Sequence, residues 1–398
     1  MKKVVYLMEY PLDLPGGGQM STWTLCDALA GGEPSSSKQA GETEEFTPVV
    51  ICPKLLKRTE DSYSFAVLTY SSLENREDRR LPRLYNFLKR TVQFARLIRK
   101  AKPDIIHVSM SESLLTYGLI RFLPPFKRIP FIYTDRGLCY GYRKHTKLLM
   151  RRILKHASAM VCTTAYNKGL WEKEALSVPL YVIPNTISPV FSVYEPEKHM
   201  LMRERYGLKQ TDFVIGFAGR ISEEKDWDFV PVLVRALKDA GLSFRVALVI
   251  AAYETKDAQI IKDLKGQITA AVGEEGLLYL QDLSQTEMAD YYYLPDVFIM
   301  SSVFESFGKA AVEAMSRHCS VVSTAVGGLP EVIGKPENLY TKDTLDRFTA
   351  RIRQLAEDRE ELERDRAFFY RRYLENYTLK EHVNRHRKLY ETVLRTNL

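Results

Sequence analysis

Short, mainly apolar runs alternate along this chain with stretches whose apolar residues recur every three or four positions. The runs at residues 4–8, 49–52, 65–68, 105–108, 131–133, 159–163 and 181–183 predict seven strands in the first half. Those at 213–218, 246–250, 277–280, 297–300 and 321–322 predict a second set after residue 210. Strands that are apolar on both faces and alternate with helices belong to parallel sheets covered on both sides. Two doubly wound α/β halves follow, joined through the proline-bearing, charged stretch 185–211. The polar stretch 31–46 reads as an exposed loop. Beyond Val332 the chain is charged and helical in period, with no sustained heptad.

A length of 398 residues suits two domains of about 190 residues each. No run of eighteen apolar residues is present, so no membrane-spanning helix is expected. The apolar run near the N-terminus is too short for a signal segment and meets Glu9, so it reads as the first strand. Five scattered cysteines without metal-like spacing imply reduced thiols and a cytoplasmic protein. The net charge of +7 is uneven. Residues 1–190 hold 28 Lys and Arg against 17 Asp and Glu, and the remainder holds 29 against 33. The basic half points to an anionic surface or ligand.

Candidate chemistry concentrates in residues 297–333. A strand runs into a polar loop carrying Glu305, then a helix whose start is marked by Phe307, Gly308 and Lys309. Backbone N–H groups at such a start attract anions. Glu313 follows eight residues after Glu305, roughly 10 Å along the helix axis. The layout fits an extended ligand with a polar group at Glu305, phosphate over Gly308 and a hydroxylated group at Glu313. It also fits an ordinary strand–helix unit with two solvated glutamates. The stretch SSVFESFGKAAVEAM, closed by VVSTAVGGLPEVI, resembles the E-x7-E signature of the retaining glycosyltransferases of family 4 (glycosyl transferases group 1), which have the GT-B fold. The resemblance implies two Rossmann-like domains facing a central cleft. It places an acceptor-side domain at 1–190, a nucleotide-sugar-binding domain at 191–377, and a last helix, 378–398, that returns to the first domain.

Other stretches carry the same resemblance. Gly219 to Lys225 matches the family's GR-x4-K pattern, which makes Arg220 and Lys225 the cations for a diphosphate: a planar fork and a mobile point charge. Glu223 and Glu224 offer an alternative, pairing with both. Asp226-Trp227-Asp228 has the look of a metal motif but fits a helix start, and the family implies no metal and no cofactor. The glycines Gly16, Gly17 and Gly18 precede a helix expected from about Met20; Gly17 and Gly18 are donor-side candidates, or part of a plain turn. His107 and Arg136 are acceptor-side candidates. His107 equally suits a buried, satisfied histidine, and Arg136 stands where many family members have histidine.

Two basic amphipathic stretches, 81–104 and 140–160, contain Leu84, Leu88, Phe94, Ala95 and Ile98 as an expected core stripe, and Tyr140, Tyr142, Leu148 and Leu149 among Lys and Arg. They suit the headgroup region of an anionic membrane, and no nucleic-acid motif accompanies them. The combined reading is a retaining transferase that moves sugar from a nucleotide-sugar, expected to be a UDP-sugar, to a hydroxyl acceptor of a lipid-linked or cell-surface glycan. Glu305, Arg220 and Lys225 are its catalytic candidates, and the protein is placed in the cytoplasm or on the inner membrane face. A nucleotide-sugar epimerase, a phosphorylase and a non-enzymatic binding scaffold remain as alternatives.

Overall fold

The computed structural model describes residues 1–14, 16–31, 45–71, 80–252 and 257–396. Most of the expected polar loop at 31–46 lies outside the described residues. The chain divides into two units: Met1–Asn185 with Leu379–Leu398, and Thr186–Thr378. The expected boundary after residue 190 thus falls after Asn185.

The first unit carries β1 (Lys2–Leu7), β2 (Phe46–Pro53), β3 (Ala66–Tyr70), β4 (Ile105–Val108), β5 (Phe131–Asp135), β6 (Ala159–Cys162) and β7 (Leu180–Val182). They form one parallel sheet in the order β3-β2-β1-β4-β5-β6-β7. Successive β1 residues face opposite layers: Val5 and Leu7 enter one core cluster, and Val4, Tyr6 and Met8 the other. Both faces are therefore apolar, which is why the strand reads as an unbroken apolar run. The C-terminal helix Leu379–Thr396 belongs to this unit and buries Val383, Leu389, Tyr390 and Val393 in the second cluster. Its Tyr390 hydroxyl lies 2.6 Å from the Tyr6 hydroxyl and 2.8 Å from His107 Nδ1.

The second unit carries β8 (Val214–Arg220), β9 (Arg245–Ala251), β10 (Leu277–Gln281), β11 (Val297–Met300), β12 (Ser320–Thr324) and β13 (Leu339–Tyr340). They form a second parallel sheet, ordered β10-β9-β8-β11-β12-β13. In β11, Val297 and Ile299 face one cluster, and Phe298 and Met300 the other. Each sheet thus has a point where the strand order reverses, between β1 and β4 and between β8 and β11. In open α/β sheets the crevice at the carboxyl ends of such a pair is the usual ligand position.

Two expectations change. The helix expected from Met20 starts at Gly17, so Gly17 and Gly18 form its first turn rather than a loop before it. The helix Arg80–Ala101 buries Phe94, Ile98 and Ala101, with Phe94 edge-on to Tyr70 of β3, but Leu88 is 51% exposed. Only the later turns lie over the sheet, so the apolar stripe outruns the core. The side chain of Leu84 lies outside the described residues.

Candidate functional site

The reversal point of the second unit assembles two loops that are 80 residues apart in sequence. One follows β8 and holds Lys225; the other follows β11 and holds Glu305. Lys225 Nζ donates to Glu305 Oε2 at 2.7 Å, and each side chain keeps about a fifth of its surface exposed. The loops are stapled twice more: Ser301 Oγ donates to the Lys225 carbonyl at 2.8 Å, and the Val303 N–H to the Glu224 carbonyl at 2.9 Å. The cation and carboxylate are therefore held by backbone as well as by their own attraction.

Arg220 sits at the end of β8. Its carbonyl accepts from Trp227 Nε1, and its guanidinium pairs with Glu224 at 3.0 Å, largely exposed. The structure brings Lys225 to Glu305, but it turns Arg220 to Glu224, the alternative pairing open from sequence. Asp226 pairs with Lys342, and Asp228 precedes the helix Phe229–Asp239 as its N-cap residue.

Gly308 caps the helix Lys309–Ser316 with φ +94°, a left-handed conformation that only glycine adopts without strain. A Cβ on it would lie 3.7 Å from Glu305 Cγ, so the carboxylate stem runs beside the helix start. The positive end of that helix is next to Glu305 and Lys225. The Phe307 side chain, in contrast, is 2% exposed and packs edge-on to Tyr377; only its backbone is left for a ligand. Lys309 and Glu313 occupy the first two turns of the helix.

Glu313 is partly buried and accepts from the Tyr292 hydroxyl at 3.1 Å. Burial pushes its carboxyl up to about 7, against the pull of the Lys309 charge, the Tyr292 hydroxyl and the Lys225 charge. A carboxyl with a raised folded pKa keeps a proton that the unfolded chain has lost. Between about pH 4.5 and 7 it therefore makes stability fall as pH rises, and the effect levels off above that window. Glu313→Gln should remove this slope, so urea unfolding at pH 8 should show the variant more stable relative to wild type than at pH 5, on the order of 2 kcal/mol. Equal differences at the two pH values would mean that the carboxyl is not held protonated.

A further element was visible in sequence only as a turn. Gly327 has φ +55°, and a Cβ built on it would stand 2.0 Å from the Glu305 carbonyl oxygen. The Gly328 N–H donates to that same oxygen at 3.0 Å. The glycine pair is thus the surface against which the Glu305 loop is laid.

In the first unit, His107 is buried with both ring nitrogens engaged, Nε2 at 2.7 Å from Thr134 Oγ1 and Nδ1 at 2.8 Å from Tyr390. Burial, with the charges of His386 and Arg136, holds its pKa well below the ordinary value. It is placed as the satisfied interior histidine that the sequence also allowed. Gly17 and Gly18 lie in the first helical turn, and a Cβ on Gly18 would stand 3.6 Å from Arg136 Cδ. The five cysteines are all buried, and none forms a disulfide. Among the described residues no helix is long and apolar enough to cross a membrane.

Comparison with known proteins supplies a second line of information. Residues 200–368 match the family described as glycosyl transferases group 1, and residues 41–191 match glycosyltransferase family 4. A 2-deoxystreptamine glucosyltransferase of Streptomyces kanamyceticus is 33% identical over 159 residues, covering 39% of this chain and 38% of that protein. An alpha-monoglucosyldiacylglycerol synthase of Acholeplasma laidlawii is 24% identical over 259 residues, covering 60% of this chain and 62% of that one. Both matches span less than two thirds of the relative's length. A sucrose-phosphate synthase from Thermosynechococcus elongatus has a similar fold, with TM-score 0.79, 15% identity and full coverage of both chains. Anabaena HepE in complex with UDP and glucose has TM-score 0.74 and 17% identity, over 98% of this chain and 100% of that one.

Proposed function

The chain belongs to the glycosyl transferases group 1 family and has the two Rossmann-like domains of the GT-B fold; on that premise we propose that it moves a sugar from a nucleotide-sugar, of the UDP class, to a hydroxyl acceptor with retention at the anomeric carbon. The observation that carries this reading is the Lys225–Glu305 contact at the reversal point between β8 and β11. It sets a cation, a carboxylate and a helix start side by side where this sheet topology receives ligands. The UDP in HepE and the glucosyl-transferring names of the relatives agree with a nucleotide-sugar donor.

In this reading Lys225 and the Lys309 helix start hold the diphosphate, and side chains rather than a metal carry its charge. Arg220, exposed at the end of β8, swings from Glu224 to the same group when donor binds. As the glycosidic bond to phosphate lengthens, negative charge grows on the leaving oxygen, and Lys225 is already in place to receive it. Positive character grows at the anomeric carbon and is met by Glu305. Glu313 takes the ribose hydroxyls. A leaving phosphate oxygen takes the acceptor proton on the face from which it departs, which gives retention.

The test is to incubate the protein with UDP-, GDP- and ADP-sugars, with and without hydroxyl acceptors, and to follow nucleotide release and product anomer by NMR. Acceptor-dependent release with the donor's anomeric configuration kept is the expected result. Conversion of donor alone to an isomer would instead assign an epimerase, and no turnover with any donor would leave a binding protein.

The acceptor is proposed to be lipid-linked or part of a surface glycan, met at an anionic membrane surface. The first unit exposes Leu148 and Leu149 on the helix Lys144–Leu154, among exposed Arg143, Lys144, Arg152 and Lys155. Leu88 and Val92 are exposed on the helix Arg80–Ala101, near exposed Arg96, Arg99 and Lys100. Apolar side chains ringed by cations suit an anionic bilayer face. Vesicles containing phosphatidylglycerol should sediment several times more protein than phosphatidylcholine vesicles at low salt, with the difference shrinking at 0.5 M salt. Equal sedimentation with both removes the membrane from the proposal.

A further inference from the structure

The first unit carries a guanidinium with no counter-charge. Arg136 follows β5 and is partly buried. Its Nη1 donates to Asn185 Oδ1 at 3.1 Å and its Nη2 to Thr22 Oγ1 at 3.3 Å; both acceptors are neutral. Its Nε is buried without an acceptor, and among the described residues no carboxylate forms an ion pair with it. The adjacent Asp135 is committed elsewhere. Its two oxygens accept from Tyr142 at 2.6 Å, Trp171 at 2.6 Å and Asn167 at 2.9 Å. Neighbouring residues at a strand end point to opposite sides, so the carboxylate one position away cannot serve. Asp135 also caps the turn, accepting the Gly137 N–H at 3.4 Å, which leaves Arg136 unneeded for turn geometry.

The surroundings deepen the imbalance. Arg136 lies along the first two turns of the helix Gly17–Gly31: it donates to Thr22 Oγ1, and a Cβ on Gly18 would stand 3.6 Å from its Cδ. That is the positive end of a helix, the end at which a cation is disfavoured and an anion stabilised. The acidic groups that act on it, Tyr390, Cys26, Tyr6 and Tyr133, are all pushed up by burial and neutral at pH 7, and burial lowers His107 and His386, which also feel its charge. Burial pulls the guanidinium itself down to about 10, which still leaves it charged. A partly buried cation at a helix start, with no carboxylate paired to it among the described residues, is an arrangement that one oxyanion completes: Arg gives a two-pronged fork, and the positive helix end favours the negative charge.

We propose that Arg136, with the Gly17–Gly18 helix turn, binds a single oxyanion, carboxylate or phosphate, of the acceptor, so that the protein prefers acidic over neutral acceptors. The inference rests on the transferase reading only for the word acceptor; the anion site itself does not depend on turnover. The binding test therefore uses calorimetry on the full chain with three probes: glucose 6-phosphate, glucuronate and glucose. Wild type should bind at least one of the two anions at least ten times more tightly than glucose. Arg136→Gln should erase the preference, and Arg136→Lys should keep part of it, since lysine retains the charge without the fork. UDP is titrated in parallel. An unchanged UDP affinity in Arg136→Gln is expected; a loss equal to that for the anionic sugars would assign the guanidinium to the donor's diphosphate and overturn the proposal. Equal binding of charged and neutral sugars, or a preference that survives Arg136→Gln, would overturn it as well. Nucleotide release from donor is measured separately, so a protein that binds acidic sugars but never turns over would defeat the transferase reading and leave the anion site standing.

Discussion

Lys225→Ala should reduce turnover by a hundredfold or more while leaving the protein folded. Lys225 is the cation that meets the leaving diphosphate in the proposed reaction, and removing one such electrostatic contact typically costs about 3 kcal/mol of transition-state stabilisation. Glu305→Ala should lose a similar amount, because in the proposed reaction the carboxylate meets the anomeric carbon, and it holds the Lys225 ammonium at 2.7 Å. The two act as one unit, so the double variant should be little worse than either single one. Folding should survive. Each side chain keeps about a fifth of its surface exposed, so the partner left behind finds water, and the Ser301 and Val303 staples hold both loops. The decisive readings are steady-state kinetics beside thermal unfolding. Near-normal turnover in either single variant would remove the pair from the chemistry. A large fall in unfolding temperature would mean that the activity loss says nothing about charge.

Gly327→Ala is the second change with a large expected effect, and it acts through backbone. The added methyl would stand 2.0 Å from the Glu305 carbonyl oxygen and 3.1 Å from its carbonyl carbon. Neither atom can rotate away as a side chain would, so the Glu305 loop itself must move. The left-handed φ of +55° adds about 1 kcal/mol of strain for any residue with a Cβ. Turnover should fall to the level of Glu305→Ala, with the unfolding temperature down by several degrees. Gly241 provides the control. Its φ is +80°, but a Cβ there meets nothing within 4 Å. Gly241→Ala should cost about 1 kcal/mol and leave turnover intact. If Gly327→Ala behaves no differently from Gly241→Ala, the glycine pair does not position Glu305.

Much of this architecture was legible beforehand, for a local reason. A strand buried on both faces tends to be apolar at every position, as at Val4–Leu7 and Val297–Met300, and such a run is visible without knowing its neighbours. The helix after Gly308 was legible because a glycine before an amphipathic stretch marks a start. The extent of burial was not. Leu88 continues the stripe of Phe94 and Ile98 yet lies beyond the sheet, and periodicity carries no record of where a supporting layer ends. Gly17 and Gly18 looked like a loop because glycine lowers helix propensity; the helix takes them in because Thr22, Leu25 and Cys26 behind them are buried.

The candidate residues divide along the same line. Alternating strands and helices in two halves were written in short runs of consecutive positions, and Lys225 and Glu305 were named through the resemblance of their local stretches to the family's patterns, spacing alone leaving a plain strand–helix unit open. Which cation meets which carboxylate was not written there. Lys225 reaches Glu305 while Arg220 turns to Glu224, because β11 crosses back to pair with β8 and so brings together loops 80 residues apart. His107 became interior because Tyr390, 283 residues onward, closes over it, and Arg136 was left without a counter-charge because Asp135 faces the other way. Such contacts depend on strand order and on the direction of each side chain, which are properties of the assembled sheets rather than of any local run of residues.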